Sequence, residues 1–418
     1  MIHSIKGVKD ILPDEMVRWH HVEQLARHWA EVSGFSEIRV PIFEVTELFA
    51  RSIGASTDIV EKEMYTFPDR DGKLLTLRPE ATAGVVRAYI EHNLGAAGVP
   101  RKMYYLGPMF RHERPQAGRL RQFHQFGLES FGMASPLADV DVLAVLWRFL
   151  SGLALPGLTL EINSLGDLND RATYKDILQT FLRPLEADLC ENCRRRFTTN
   201  PLRVLDCKVP TCREVTTSAP PITDHLSSAS RAHFDGVLEG LTALQIPFLL
   251  NPRLVRGLDY YTLTTFEVTC SHLGAQNAVG AGGRYDGLVS VLGGSPTPAV
   301  GFAVGLERIA LMLPETTVPV EPPLVFIAGF GAQGQQQGFL ILHALRAVGI
   351  RADTDYRANT LKNLMKQADR FRAKSVIILG DDEVLKNMAV VRDMETKAQI
   401  EIPLSSLVSH FQTSAFSS

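Results

Sequence analysis

KMYYLGPMFRHERPQAGRLRQFHQFGLESFG, Lys102–Gly132, sets two β-like runs on either side of one polar loop. Apolar residues recur with a strand period in KMYYLGPMFR and in HQFGLESFG, so the segment predicts an antiparallel sheet entered through a long hairpin. The loop between them, Phe110–Gln125, holds Arg111, Arg114, Arg119 and Arg121 with His112 and His124, against the single acid Glu113. A solvated hairpin mixes its charges. Guanidinium forks concentrated in this way suit bidentate contact with phosphate or carboxylate, with a plain basic surface hairpin as the alternative.

Working outward, DEMVRWHHVEQLARHWAEVSGF carries Met16, Val17, Val22, Leu25, Ala26 and Trp29 at helical spacing and stops at Gly34. SEIRVPIFE predicts a strand whose Pro41 cannot donate to a ladder, which assigns it to an edge, a strand end or an interface. KLLTLRPE predicts a strand leading into a helix around ATAGVVRAYIEH, where Glu80 or Thr82 either caps the helix or is held for a ligand's ammonium. LTLEINSLGD is a further strand, after which residues 168–245 show helical periods and no comparable strand pattern, as expected of an inserted helical subdomain. TTFEVTC resumes the strands, AVGAGGRYDGLVSVLGG is a glycine-dense turn and hairpin region, and AVGFAVGLERIALML runs from strand into helix. The proline-rich Leu313–Leu324 segment is the clearest linker. Beyond it LVFIAGF, helices near 333–348 and 361–371, and SVIILG alternate as a small α/β domain with a mainly parallel sheet.

Composition narrows the class. A chain of 418 residues exceeds one ordinary core, and 45% hydrophobic with 21% charged residues is globular rather than disordered. The formal net charge of -3 means that any nucleic-acid surface has to be local. The N-terminal MIHSIKGVKDILPDE has no apolar signal core and no apolar run is long enough to span a bilayer, so the expectation is a cytoplasmic protein with no membrane association. Four of the five cysteines lie between Cys190 and Cys212 as C-x2-C-x13-C-x4-C, unlike a secreted disulfide framework.

Taken in order, GVKDILP, LRPEATAG, YLGPMFRHERPQAGRLRQFHQFGLESFG, LVRGLDYYTLTTFEV, GAGGRYDGL and GFAVGLERI resemble the histidyl-tRNA synthetases, a family of the class II aminoacyl-tRNA synthetases. The likeness spans nearly the whole chain, and LVRGLDYY followed by GAGGRYDGL is its most specific part. It implies an α+β catalytic domain with an antiparallel sheet over residues 1–321, interrupted by the mainly helical insertion 168–245, and a C-terminal α/β anticodon-binding domain over 322–418. The implied activity is a histidine–tRNA ligase. It would join L-histidine to ATP, release pyrophosphate, and pass the histidyl group to tRNA(His), with Mg2+ beside ATP and a homodimer formed through the first helix and the Pro41 strand.

The same resemblance implies roles residue by residue. Arg111 bridges the substrate carboxylate and the α-phosphate, Glu113 and Arg121 address adenine and the outer phosphates with Arg119 and Phe123, and Arg308 lies over the adenine. Arg256 is a fixed cation at the α-phosphate, its alternative being a structural ion pair with Asp259. A neutral imidazole presents one donor and one acceptor, so Glu129 accepts its N–H while Tyr260 and Tyr261 supply a hydroxyl and ring packing. Adjacent strand residues face opposite ways, so both tyrosines reach one ligand only through a turn or bulge, which Gly257 permits. Glu80 and Thr82 hold the ammonium with Gln125 close by, and Ala81 stands where many relatives carry glycine, adding a tolerated methyl near that pocket.

Gln116, Lys362, Lys366 and Arg370 are expected to face tRNA. RANTLKNLMKQADRFRAK, Arg357–Lys374, has six basic residues against one acid, and by itself such a helix is as consistent with a solvated face. No residue is assigned to a metal: the cysteine spacing is compatible with zinc, and reduced structural thiols are the default. The rival function is the non-catalytic paralogue that regulates ATP phosphoribosyltransferase. That paralogue lacks the anticodon domain and the arginine and tyrosine pair present here.

Overall fold

Strands Arg101–Phe110 and Gln122–Phe131 pair antiparallel over their full length, from Arg101 opposite Phe131 to Phe110 opposite Gln122. This computed structural model describes residues 2–54, 57, 59–96, 98–116, 118–273, 277–313, 324–357 and 360–415. The chain divides into two compact units, Met1–Pro319 and Val320–Ser418.

In the first unit the hairpin sits within an eight-stranded sheet. Its order is Ser36–Glu37, Arg101–Phe110, Gln122–Phe131, Ala299–Gly305, Ala278–Arg284, Thr262–Cys270, Leu158–Ser164, Leu249–Leu250. Every internal pairing is antiparallel, and only the two short edge strands pair parallel. Period-two alternation splits the interior. Phe126, Leu128, Phe266, Val268 and Phe302 point to one face, where Trp19 and Ala26 of helix Pro13–Val32 and Phe149 of helix Pro136–Gly152 cover them. Phe131, Tyr261 and Tyr285 belong to the opposite cluster, with Val85 and Val86 of helix Thr82–Glu91 and Leu178 of helix Leu168–Leu182. The sheet is therefore a floor between two cores, and the polar groups described below stand on the second side.

Several expectations need correction. SEIRVPIFE is not one strand: Ser36–Glu37 joins the large sheet and Phe43–Val45 joins a separate three-stranded sheet, with the chain switching sheets around Pro41. AVGAGGRYDGLVSVLGG is not a hairpin but strand Ala278–Arg284 followed by the short helix Leu288–Val291. Gly280, Gly282 and Gly283 serve close packing within the sheet, and the turn glycine of this stretch is Gly293, at φ 93 after the short helix. All regular elements between residues 168 and 245 are helical, yet helix Ser228–Ala243 lays Phe234, Val237 and Leu241 into the first core. The insertion's second boundary thus runs through the core of the first unit. Of the predicted linker, residues 314–323 lie outside the described residues.

The second unit holds a five-stranded sheet ordered Ala352–Asp353, Val325–Gly329, Ser375–Leu379, Met388–Asp393, Gln399–Pro403. Its first two pairings are parallel and its last two antiparallel, so the sheet is mixed rather than mainly parallel. The reason is connection length: after Leu379 only the five-residue helix Asp381–Leu385 precedes the next strand, too little for a crossover. No helix among the described residues is long and apolar enough to cross a membrane.

Candidate active site

The floor of the site is made by glycines. Glu129 lies opposite Gly301 on the neighbouring strand, and a Cβ on Gly301 would overlap the Glu129 carboxylate. Gly127 is likewise overlaid by the Tyr105 ring, which a Cβ there would strike. Bare backbone at these two positions lets a carboxylate and an aromatic ring lie flat on the sheet.

Glu129 is 1% exposed and accepts hydrogen bonds from the Thr82 hydroxyl at 2.8 Å and from the Tyr285 hydroxyl. Burial, opposed by those two bonds and aided by the nearby Glu80, pushes its pKa up to about 8. Glu80, 4% exposed, is also raised by burial; one oxygen accepts from the Ala83 amide at 3.0 Å and the other from the Tyr260 hydroxyl at 3.3 Å. The ring of Tyr260 lies 4.6 Å from Tyr261 and 5.7 Å from Tyr285, between centroids. Burial pushes Tyr261 up to about 12 and holds Tyr260 and Tyr285 well above the usual phenol range, so all three stay protonated donors. Gln125 is 8% exposed, and its Oε1 is buried without a partner. A buried orphan acceptor on the strand that carries Glu129, together with two raised carboxyls, suits a polar ligand.

The arginines border this pocket. Arg111 donates from Nε to the Pro79 carbonyl at 2.9 Å and stacks over Phe123 at 5.4 Å, leaving its fork 3.8 Å from Glu113. Arg119 pairs with Glu113 at 3.1 Å, and Arg121 reaches the Glu113 carbonyl at 3.4 Å. Arg308, on helix Leu306–Met312, crosses to the hairpin and donates to the Gly118 carbonyl at 3.1 Å and the Ala278 carbonyl at 2.6 Å. Burial and the nearby Arg119 cation lower its pKa. Arg256 pairs with Glu267 at 2.6 Å and lies 6.0 Å from the Tyr261 ring. Burial opposes its charge, but Glu267, with Tyr261 and Asp206, raises its pKa.

The predicted residues thus converge, with three differences. The ion-pair partner of Arg256 is Glu267, whereas Asp259 accepts from Asn200 at 2.8 Å and so ties the loop to the helical insertion. Gly257 does not take a left-handed φ, but it opens the bend and turn over residues 257–260 that sets Tyr260 and Tyr261 ahead of strand Thr262–Cys270 and brings both to one side. Glu80 both caps its helix and faces the pocket, where only one of these had been expected. Ala81 is fully buried in the apolar cluster with Val85 and Val86, so its methyl is a core contact. Gln116 is exposed at the hairpin tip, bridged to Arg119. Within the second unit Lys362, Lys366 and Arg370 are all exposed on helix Leu361–Arg370, while Leu364 and Ala368 are buried.

Sequence reasoning missed Tyr285 and Glu267. Glu267 was recoverable from alternation, since in TTFEVTC Phe266 and Val268 face the first core and Glu267 the other side; Tyr285 was not, because Val279 of the preceding strand faces the first core and only the register shift between Gly283 and Arg284 turns Tyr285 to the side of Glu129. A separate cavity of about 250 Å³ opens on the reverse of the hairpin, lined by Lys9, Arg18, Gln116, His124 and Glu307 among others. His124 and Glu307 close its floor through a 3.0 Å contact.

A family model described as histidyl-tRNA synthetase matches residues 7–183 and 203–309, and one described as anticodon binding domain matches residues 327–414. A histidine--tRNA ligase of Desulfatibacillum aliphaticivorans is 52% identical over 408 residues, covering 97% of each chain. That of Geobacter sulfurreducens is 49% identical over 405 residues, covering 97% of this chain and 98% of its own. The solved structure of apo S. aureus histidyl-tRNA synthetase matches at a TM-score of 0.84 and 38% identity, covering 99% of this chain and 100% of that one.

Proposed function

Because this chain belongs to the histidyl-tRNA synthetase family and acts as a histidine–tRNA ligase, we propose that its chemistry runs on the second face of the large sheet, with the following division of labour. Glu129 accepts the imidazole N–H of L-histidine, and Tyr260, Tyr261 and Tyr285 supply hydroxyls and ring walls. The Glu80 oxygen that meets Tyr260 and the orphan Oε1 of Gln125 take the α-ammonium, while Thr82 holds Glu129 in place. Such a site rejects analogues that would leave its buried partners unpaired.

ATP binds across the hairpin, its adenine near Phe123 and Arg308 and its phosphates among Arg111, Arg119, Arg121 and Glu113. The histidine carboxylate attacks the α-phosphorus and pyrophosphate leaves; Arg256 and Arg111 stabilise the charge that develops there. A terminal ribose hydroxyl of tRNA(His) then takes the histidyl group from the adenylate. A hard divalent cation needs oxygen donors, and Glu113 and Glu267, both in the electrostatic surroundings of Arg308, fit Mg2+ at the phosphates, where it would neutralise negative charge. The second unit contacts tRNA through Lys362, Lys366 and Arg370, and two copies of the chain associate through the three-stranded sheet that carries Phe43. Its nucleotide and tRNA substrates assign the protein to the cytoplasm.

The observation that carries this reading is continuity. Hydrogen bonds run from Glu129 through Thr82 and Tyr285, Tyr285 packs on Tyr260, Tyr260 donates to Glu80, and Glu80 lies in the field of Arg111. An amino-acid pocket and a phosphate cluster therefore share one wall. The non-catalytic paralogue is less supported, since the anticodon-binding segment, Arg256 and both tyrosines are present. The test is histidine-dependent exchange of labelled pyrophosphate into ATP. The pure protein should exchange, and Arg256→Ala should lose on the order of 10²- to 10³-fold. No exchange, or undiminished exchange in the variant, would overturn the assignment.

A further inference from the structure

The segment between Leu189 and Thr217 is built from three short helices, Glu191–Thr199, Leu202–Leu205 and Pro210–Val215, of 9, 4 and 6 residues. Helices this short are marginal by themselves and need an external tie. Four thiols meet where they converge. The Sγ atoms of Cys190, Cys193, Cys207 and Cys212 all lie within 4.8 Å of one another, and those of Cys190 and Cys207 are 3.9 Å apart. A disulfide would hold its sulfurs at about 2.0 Å. Tetrahedral zinc with Zn–S bonds of about 2.3 Å spaces its sulfurs by about 3.8 Å.

Two further observations point to a metal. The backbone N–H of Cys190 donates to Cys212 Sγ at 3.1 Å, the kind of bond that favours a thiolate ligand. Cys193 and Cys212 are both fully buried, and four protein sulfurs leave no open position, which is the form of a structural rather than a catalytic site.

We propose that Cys190, Cys193, Cys207 and Cys212 form a closed tetrahedral zinc site that braces the Arg256 loop. Binding exchanges thiol protons for the metal, the protons passing to solvent, with no change of oxidation state. The brace is traceable bond by bond. Arg253 donates to the carbonyls of Arg213 at 3.2 Å and Leu205 at 3.4 Å, each within two residues of a cysteine. Asn200 donates to Asp259 at 2.8 Å, and a Cβ on Gly257 would meet Arg203 at 3.2 Å. Residues on both sides of Arg256 are thus held by the segment the zinc would tie together.

The test uses the full chain purified under reductant from zinc-containing medium. Elemental analysis should find about one zinc per chain, and exchange with Co2+ should give intense sulfur-to-cobalt charge-transfer bands with tetrahedral ligand-field absorption. Both readouts are independent of ligase activity. Zinc below about a tenth of the chain concentration, or two disulfides by mass spectrometry of protein kept under reductant, overturns the site. Cys207→Ser and Cys212→Ser should each lose zinc, and stoichiometric zinc in the double variant overturns the assignment of ligands. Removing zinc with a chelator should lower histidine-dependent pyrophosphate exchange about 10-fold or more, with restoration on adding zinc back. Full exchange by the zinc-free chain overturns the bracing role.

Discussion

Glu129 shows how one residue's burial becomes a measurable property of the chain. Its carboxyl is raised to about 8 by desolvation, which the Thr82 and Tyr285 hydroxyls only partly offset. The folded state therefore binds this proton more tightly than the unfolded state, whose carboxyl has a pKa of about 4.3. Between those values the folded chain carries the extra proton, so this carboxyl's contribution to stability is full below about pH 4.3 and is lost as pH rises toward 8. Thermal melts of the unliganded protein should show this decline, on the order of a few kcal/mol in total, and Glu129→Gln should flatten it. A wild-type curve and a Glu129→Gln curve of the same slope across this interval would contradict the assigned pKa. Tyr285→Phe leaves one carboxyl oxygen short of its donor, so the KM for histidine in pyrophosphate exchange should rise about 10-fold while that for ATP changes little. Glu129 was legible in the sequence because a lone acid in an apolar strand, GLES, has few other uses. Tyr285 was not, because its partner comes from 156 positions away and only the strand register reveals the meeting.

At the scale of elements, the hairpin and its arginines were legible because charge and period change together at Phe110 and Gln122. The glycine-dense stretch after residue 278 misled because glycine signals a turn locally, whereas here its absent side chain is filled by another strand's. Gly301→Ala tests that account: its Cβ would displace the Glu129 carboxylate, costing about 1–3 kcal/mol in a denaturant melt and weakening histidine binding. An unchanged melt would mean that the floor tolerates a methyl and that the glycine serves something else. The Pro41 strand was half legible: proline marks a place where a ladder ends, but which sheet each half joins depends on distant pairing with Met103 on one side and Leu77 on the other. The helix Leu361–Arg370 keeps its cationic stripe in water, as its spacing required. Replacing Lys362, Lys366 and Arg370 together by alanine should weaken tRNA binding and reduce the slope of log affinity against log salt by about 2. Pyrophosphate exchange should be untouched, because no step of adenylate formation needs tRNA.

At the scale of the whole molecule, two units were legible from a change of element pattern across a proline-rich stretch, yet the helical insertion's far end was not. Helix Ser228–Ala243 is amphipathic like its predecessors, and only contact with helix Pro136–Gly152 assigns it to the catalytic core. A second whole-molecule feature follows from exposure. In the three-stranded sheet Phe43 pairs with Leu77 and Phe67 with Leu75, so these side chains share a face, and Phe43 is 53% and Phe67 40% exposed. Thr46 and Thr66 instead meet Thr76 by hydroxyl contacts of 2.9 Å on the opposite side. A sheet that satisfies its polar face internally while leaving its aromatic face in water is built to be covered, and the sequence-adjacent Ile42, 44% exposed, extends the apolar area. Light scattering should therefore give twice the mass of one chain at micromolar concentration. Because a two-fold interface uses the same patch twice, one substitution acts on both sides of the contact. Phe43→Glu with Phe67→Glu should shift the protein to monomer without loss of helical signal, and a double variant that remains dimeric would move the interface elsewhere.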